Sequence, residues 1–174
     1  MNDSRIYLRP ITEADTPDIV RWRNSEIVRQ YFITQADFTP ESHMYWFNNY
    51  IKTGKAVQFM IVTREDNKPI GSVYIKDLDN EHKKGEYGIF IGEGSYLGKG
   101  YGSEAARLML EYAFRTMKLH RVYLRAFTDN ERAVGSYKKV GFEVEGILRD
   151  DVCIRGRFRD ITWMAMINPN DVKE

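Results

Sequence analysis

The chain predicts an α/β fold in which a mixed sheet carries packed helices. Three observations point there. Strand-like and helical runs follow one another in the order strand, helices, three strands, helix, strand, helix, two strands. Consecutive hairpin strands give antiparallel pairs, whereas the strand–helix–strand segment after them brings in parallel pairing. The 174 residues, 43% hydrophobic and 29% charged, suit one domain over residues 1–174, with no repeat, linker or low-complexity tract to divide it.

Residues 5–9 alternate polar and apolar and read as a half-buried strand stopped by Pro10. Thr12 and Asp15 have the spacing of a capping box, and the helix they start carries Ile19, Val20 and Trp22 to about Asn24. A second short helical stretch covers residues 26–32. A third helix begins at Thr39 and Pro40, with Met44, Phe47, Tyr50 and Ile51 at helical spacing. Residues 56–63 read as a buried strand, 65–69 as a turn and 70–75 as the returning strand. A polar loop, 77–84, leads to the strand 86–91, in which Gly88 signals a bulge or a close backbone approach. Ala106, Met109, Leu110, Ala113 and Met117 then line one side of a helix. A strand at 122–126, a helix at 130–140 stopped by Gly141, and strands near 142–145 and 160–167 complete the order.

Composition excludes several classes. The 26 basic and 25 acidic residues give a net charge of +1, so no basic field favours nucleic acid. No apolar run is long enough to cross a bilayer, and residues 1–10 lack the apolar core of a signal peptide. The single cysteine, Cys153, cannot form an internal disulfide, which fits a reducing, cytoplasmic setting; its neighbours Val152 and Ile154 favour a structural thiol over a nucleophile. The three histidines are scattered, so no metal site is expected.

The stretch with most chemistry is residues 97–104, Leu-Gly-Lys-Gly-Tyr-Gly-Ser-Glu, between a strand and a helix. Glycine admits positive φ, and the first N–H groups of a helix lack internal partners, so such a junction can wrap a phosphate. The same spacing also occurs in ordinary turns. About thirty residues on, Asn130, Ala133, Tyr137, Lys139, Gly141 and Phe142 form a second motif.

These two motifs in this order resemble the GNAT superfamily of acetyl-CoA-dependent N-acetyltransferases. The family loop reads Gln/Arg-x-x-Gly-x-Gly/Ala, and Leu97 stands here at the Gln/Arg position. The resemblance covers nearly the whole chain and implies a mostly antiparallel central sheet of about seven strands with helices on both faces. Leu8-Arg9-Pro10, Trp22-Arg23-Asn24 and Gly156-Arg157-Phe158-Arg159-Asp160 look like the branch holding ribosomal-protein N-terminal, spermidine and nucleotide-linked amino-sugar N-acetyltransferases. Trp22-Arg23-Asn24, with His43, Trp46 and residues 82–89, is most similar to the amino-sugar group.

The resemblance implies a cofactor site as well. Main-chain N–H groups of Gly98, Lys99, Gly100, Tyr101 and Gly102, flanked by Leu97 and Ser103, would hold the coenzyme A pyrophosphate. The Lys99 side chain would either add a contact or lie in solvent. Ile89, Phe90 and Ile91 would lie along the pantetheine arm, their backbone freed by a bulge at Gly88, while Asn130, Ala133 and Lys139 complete the donor site. Tyr137 would be the general acid towards the leaving thiolate, or else a core tyrosine. Glu86 would take the amine proton through water; the alternative is an exposed carboxylate beside Lys83 or Lys84. His43 and His82 are alternative bases or plain surface residues. Trp22, Arg23, Asn24, His43 and Trp46 would form the acceptor wall, unless Trp22 and Trp46 are core and Arg23 faces solvent. The expected function is therefore acetyl transfer from acetyl-CoA to a small-molecule amine, a nucleotide-linked amino sugar first. Protein N-terminal or polyamine acetylation and a non-catalytic coenzyme-A-binding domain are the alternatives. No metal, nucleic acid or membrane partner is expected, and a homodimer is compatible with the sequence.

Overall fold

The computed structural model describes residues 4–171. Seven strands form one sheet in the order β1-β2-β3-β4-β5-β7-β6. They are β1 (Ile6–Pro10), β2 (Val57–Thr63), β3 (Pro69–Asp79), β4 (Lys84–Ile91), β5 (Arg121–Phe127), β6 (Glu143–Ile154) and β7 (Arg157–Ile167). Every neighbouring pair is antiparallel except β4 and β5. The proline inside β1 is tolerated because β1 is an edge strand.

Side chains of a strand alternate between faces, so each face has its own core. On one face α4 (Tyr101–Glu111) and α5 (Glu131–Val140) cover Ile75, Tyr87, Val122 and Leu124. On the other, α1 (Thr16–Asn24), α2 (Glu26–Arg29) and α3 (Pro40–Trp46) cover Met60, Val62 and Phe90, with Trp22 fully buried among them. The helix starts follow the sequence signals. Asp15 accepts from the Thr12 N–H at 2.7 Å, and Thr39 Oγ1 accepts from the Ser42 N–H at 3.2 Å. Gly141 ends α5 at φ +119°, where a side chain would be strained.

The parallel pair is short. Cα partners run from Lys84↔Arg121 to Glu86↔Tyr123, and beyond Glu86 the two strands separate. Gly92 N–H donates to Ile70 O, which fixes the antiparallel alternation along β3 and β4. Phe90 and Gly88 therefore spend their backbone groups on β3, while Tyr87, Ile89 and Ile91 turn theirs into the gap beside β5.

Four expectations need correction. Gly88 makes no bulge: it pairs directly with Tyr74, and the register shifts between Lys76 and Asp79 instead. Gly88 is a close approach, since a Cβ there would lie 2.2 Å from the Tyr74 ring. The loop expected at 77–84 is shorter, a turn over 80–83, because β3 runs through to Asp79 and β4 starts at Lys84. The last two strands form a much longer hairpin than the alternation suggested, because β6 buries almost none of its residues and so shows no apolar period. On that hairpin Cys153 is exposed rather than packed in the interior.

Candidate active site

The gap between β4 and β5 opens into a cavity of about 830 Å³ that reaches both faces of the sheet. Its walls include the glycine loop, the start of α5, the open edge of β4 and the helices α1 to α3.

At one end lies the N-terminus of α4. Gly100 is its N-cap, at φ +87°, and no side chain caps it; Gly98 is also left-handed, at φ +72°. A Cβ on Gly98 or Gly102 would meet nothing within 4 Å, so the loop presents open space backed by free N–H groups. The macrodipole of an 11-residue helix adds a partial positive charge there. These features fit a phosphate group. Leu97, Gly98, Gly100, Tyr101, Gly102 and Ser103 line the cavity. Lys99 is exposed and is not part of the wall; its carbonyl instead accepts from Arg5. Ser103 Oγ lies 2.8 Å from Ser136 Oγ and ties α4 to α5.

At the start of α5, Asn130 Oδ1 accepts from the Ala133 N–H at 3.3 Å, leaving the Asn130 amide N–H₂ free to donate. Ala133 and Lys139 also line the cavity. Tyr137 packs edge-on to Tyr87 and Phe142, with ring centroids 6.1 and 5.9 Å away. Burial, helped by Tyr74, pushes the Tyr137 phenol pKa well above its ordinary value. The open backbone of Ile89 and Ile91 borders the cavity between loop and Tyr137, whereas Phe90 enters through its ring, packed on Trp22 and Phe32.

The opposite face carries the charged groups. Glu86 is 7% exposed, so it does not stand in solvent, and its salt-bridge partners are Arg125 and Lys76 rather than Lys83 or Lys84. Arg125 grips it through Nε at 3.0 Å and Nη2 at 3.1 Å, and Lys76 Nζ lies 3.6 Å away. Alternation puts Tyr74, one residue pair along β3, on this same face. Burial pushes the Tyr74 phenol up to about 12.

The acceptor wall expected from sequence divides. Arg23 lines the cavity, its guanidinium 3.4 Å from the Phe32 ring centroid and 4.9 Å from that of Phe38. It makes no salt bridge among the described residues, its Nε is buried without a partner, and burial lowers its pKa. Trp46 also lines the cavity, held by Gln58 Oε1 at 2.8 Å and stacked on Tyr50. Trp22 does not: it is a core residue whose indole N–H donates to Glu93 at 2.9 Å. Nor does Asn24, which faces the α2–α3 connection and bonds both backbone groups of Phe38.

His43 is fully buried rather than on the surface, although its ring borders the cavity. Thr16 Oγ1 gives its proton to Glu13 O at 2.7 Å, so at 2.9 Å it accepts from the His43 Nδ1–H. Burial lowers the His43 pKa and keeps the ring neutral, with Nε2 unpartnered. His82 is exposed, on Asp79. Arg125, Lys76, Tyr74 and Gln58 were not singled out by sequence. Their shared face becomes visible only once strand register is known; the signal available in advance was the Arg125 alternation within residues 121–127.

A family model described as an acetyltransferase (GNAT) domain matches residues 5–143. The chain is 28% identical over 163 residues to the spermidine N(1)-acetyltransferase of Escherichia coli K12, covering 92% of this chain and 85% of that protein. It is 25% identical over 174 residues to the uncharacterized N-acetyltransferase YoaA of Bacillus subtilis, covering 98% of each. Among solved structures, spermidine N-acetyltransferase from Vibrio cholerae in complex with CoA and spermine superposes with a TM-score of 0.89 at 25% identity, over 95% of this chain and 97% of that one.

Proposed function

This chain belongs to the GNAT acetyltransferase family and is an acetyl-CoA-dependent N-acetyltransferase, and we propose that its acceptor is a small-molecule primary amine that also bears a negative charge, a nucleotide-linked amino sugar being the leading example. Residues 1–174 act as a single catalytic domain in this reading. The observation that carries it is Arg23, a half-buried guanidinium on the cavity wall whose Nε is buried without a partner and which makes no salt bridge among the described residues. Burying an unpaired charge is costly, so such a group favours an anionic ligand. Lys76 and Arg125 both contact Glu86, and Lys76 also pairs with Asp77, so these charges balance and Arg23 is the cation left over. Phe32, Phe38 and Trp46 offer flat apolar surfaces for a ring.

The N–H groups of residues 98–102 would hold the donor pyrophosphate, and the open edge of β4 leading to Tyr137 would take the pantetheine arm. The amine approaches from the Glu86 face, through the gap. Each Glu86 oxygen carries one guanidinium hydrogen bond and keeps a free lone pair, so it can take the ammonium proton through a water. Attack on the thioester carbonyl forms the C–N bond, the C–S bond breaks, Tyr137 supplies the proton for the leaving thiolate, and the second proton shed by the acylated nitrogen returns to the phenolate.

The relatives named for spermidine support a second reading, a polyamine acceptor. Against it, a polyamine calls for uncompensated carboxylates, and Glu86 is already paired. Turnover of acetyl-CoA with separate panels of anion-bearing amines, polyamines and peptides tests the two. We expect turnover on anion-bearing amines, and Arg23→Ala to raise their KM about 30-fold while leaving kcat within about twofold. Turnover confined to spermidine or to peptides overturns the acceptor assignment, and binding of acetyl-CoA without any turnover overturns catalysis itself.

A further inference from the structure

Arg5 lies just ahead of β1, far in sequence from the glycine loop, yet it makes five polar contacts there, four from its side chain and one from its main-chain N–H to Glu104 Oε1 at 2.5 Å. Nη1 and Nη2 each reach the Lys99 carbonyl oxygen at 3.2 Å. Nε and Nη2 reach Glu104 Oε2 at 3.1 and 2.9 Å. Its guanidinium carbon also sits 4.2 Å over the Tyr101 ring centroid.

We infer that Arg5 is a positioning residue for the donor site, fixing the peptide plane that aims the Gly100 N–H into the cavity. The Lys99 carbonyl and the Gly100 N–H belong to one peptide unit. Among the described residues no peptide bond is cis, so the two groups point in opposite directions. Holding the carbonyl outward on Arg5 therefore holds the N–H inward, at a left-handed glycine whose φ is otherwise soft. The guanidinium charge also polarises that peptide and strengthens its N–H as a donor to an anion. A second effect comes from Glu104, in the first turn of α4, where a bare carboxylate would repel a phosphate at the same helix end. Arg5 neutralises it, and Ser4 Oγ adds a hydrogen bond at 2.7 Å to its other oxygen. Because Leu97 is apolar, the side chain there makes no polar contact with the loop; Arg5 supplies the tie from the opposite side.

The inference concerns the donor end alone, so a failed acceptor assay leaves it standing. The test is calorimetric titration of CoA into the full chain, with Arg5→Ala, Arg5→Lys and a control, Arg115→Ala, which removes the surface pair with Glu111 on the segment that continues α4. Arg5→Ala should weaken CoA about tenfold, the scale of one hydrogen bond to a charged group. Arg5→Lys should fall between, since an ammonium cannot span Lys99 O and Glu104 together. The control should bind as the parent does. In the parent, the Gly100 amide proton resonance should move downfield on CoA addition, and this shift should be much reduced in Arg5→Ala. Unchanged CoA affinity in both Arg5 variants, or an equal loss in the control, overturns the inference, as does a full Gly100 shift in Arg5→Ala.

Discussion

Tyr137 shows how a single side chain can be read twice. Its motif position marked it as a proton donor, with a core tyrosine on an amphipathic helix as the lesser alternative; the structure gives it both environments. The ring packs on Tyr87 and Phe142 while its edge borders the cavity. Burial pushes the phenol up, so the proton stays on across the physiological range and kcat should show no loss from Tyr137 ionisation below about pH 10. Tyr137→Phe keeps the packing and removes the proton. Steady-state kinetics should show kcat down about 100- to 1,000-fold, with the acetyl-CoA KM within about twofold. Glu86 was less legible. Its charge and strand could be read from sequence, but its two cations stand 10 and 39 positions away, and nothing local announced them.

At the scale of elements, the site depends on how α1 is seated against the end of β4. Trp22 of α1 packs directly on Gly92, where an added Cβ would lie 2.0 Å from an indole ring atom. Neither partner can retreat: Trp22 is fully buried, and Gly92 N–H is bonded to Ile70 O. Gly92→Ala should therefore cost about 2–3 kcal/mol, read as a lower urea midpoint, and should alter Trp22 fluorescence in the native state. Individual helices were well marked, because caps and apolar spacing are local signals. The β4–β5 gap was not, because two strands separating after one parallel register is a property of the pair. At Gly88 the sequence offered a bulge or a close approach, and only the close approach holds, as room for the Tyr74 ring.

For the molecule as a whole, buried His43 sets an expected pH dependence. Its folded-state pKa is lowered by burial, so the fold favours the neutral ring and the unfolded chain binds more protons below about pH 6.5. This contribution is present above that pH and is lost as pH falls towards the folded-state value. Asp15, lowered by its bonds to Arg9 and Thr12 against the opposing effect of burial, acts in the same sense only nearer pH 4. Urea midpoints should therefore drop between pH 7.5 and 5.5. His43→Gln, which keeps a donor for Thr16 and has no titrating group, should flatten that drop; a drop of unchanged size would assign it elsewhere. Among the described residues no helix is long and apolar enough to cross a membrane.

By itself the sequence determined the order of elements, the fold class and the family, and it singled out the glycine loop as the candidate donor site, because each is written in short-range patterns: glycines at a strand–helix junction, caps, and apolar periods. Tertiary structure alone decided which side chains share the cavity face that carries Glu86. It withdrew Trp22 and Asn24 from the cavity, left Arg23 in it without a salt bridge, tied Glu86 to Arg125 and Lys76, and brought Arg5 to the Lys99 carbonyl. The physical reason is range. Hydrogen bonds and ion pairs between residues tens of positions apart depend on strand register and on which face each residue meets, and neither is set until the sheet has formed.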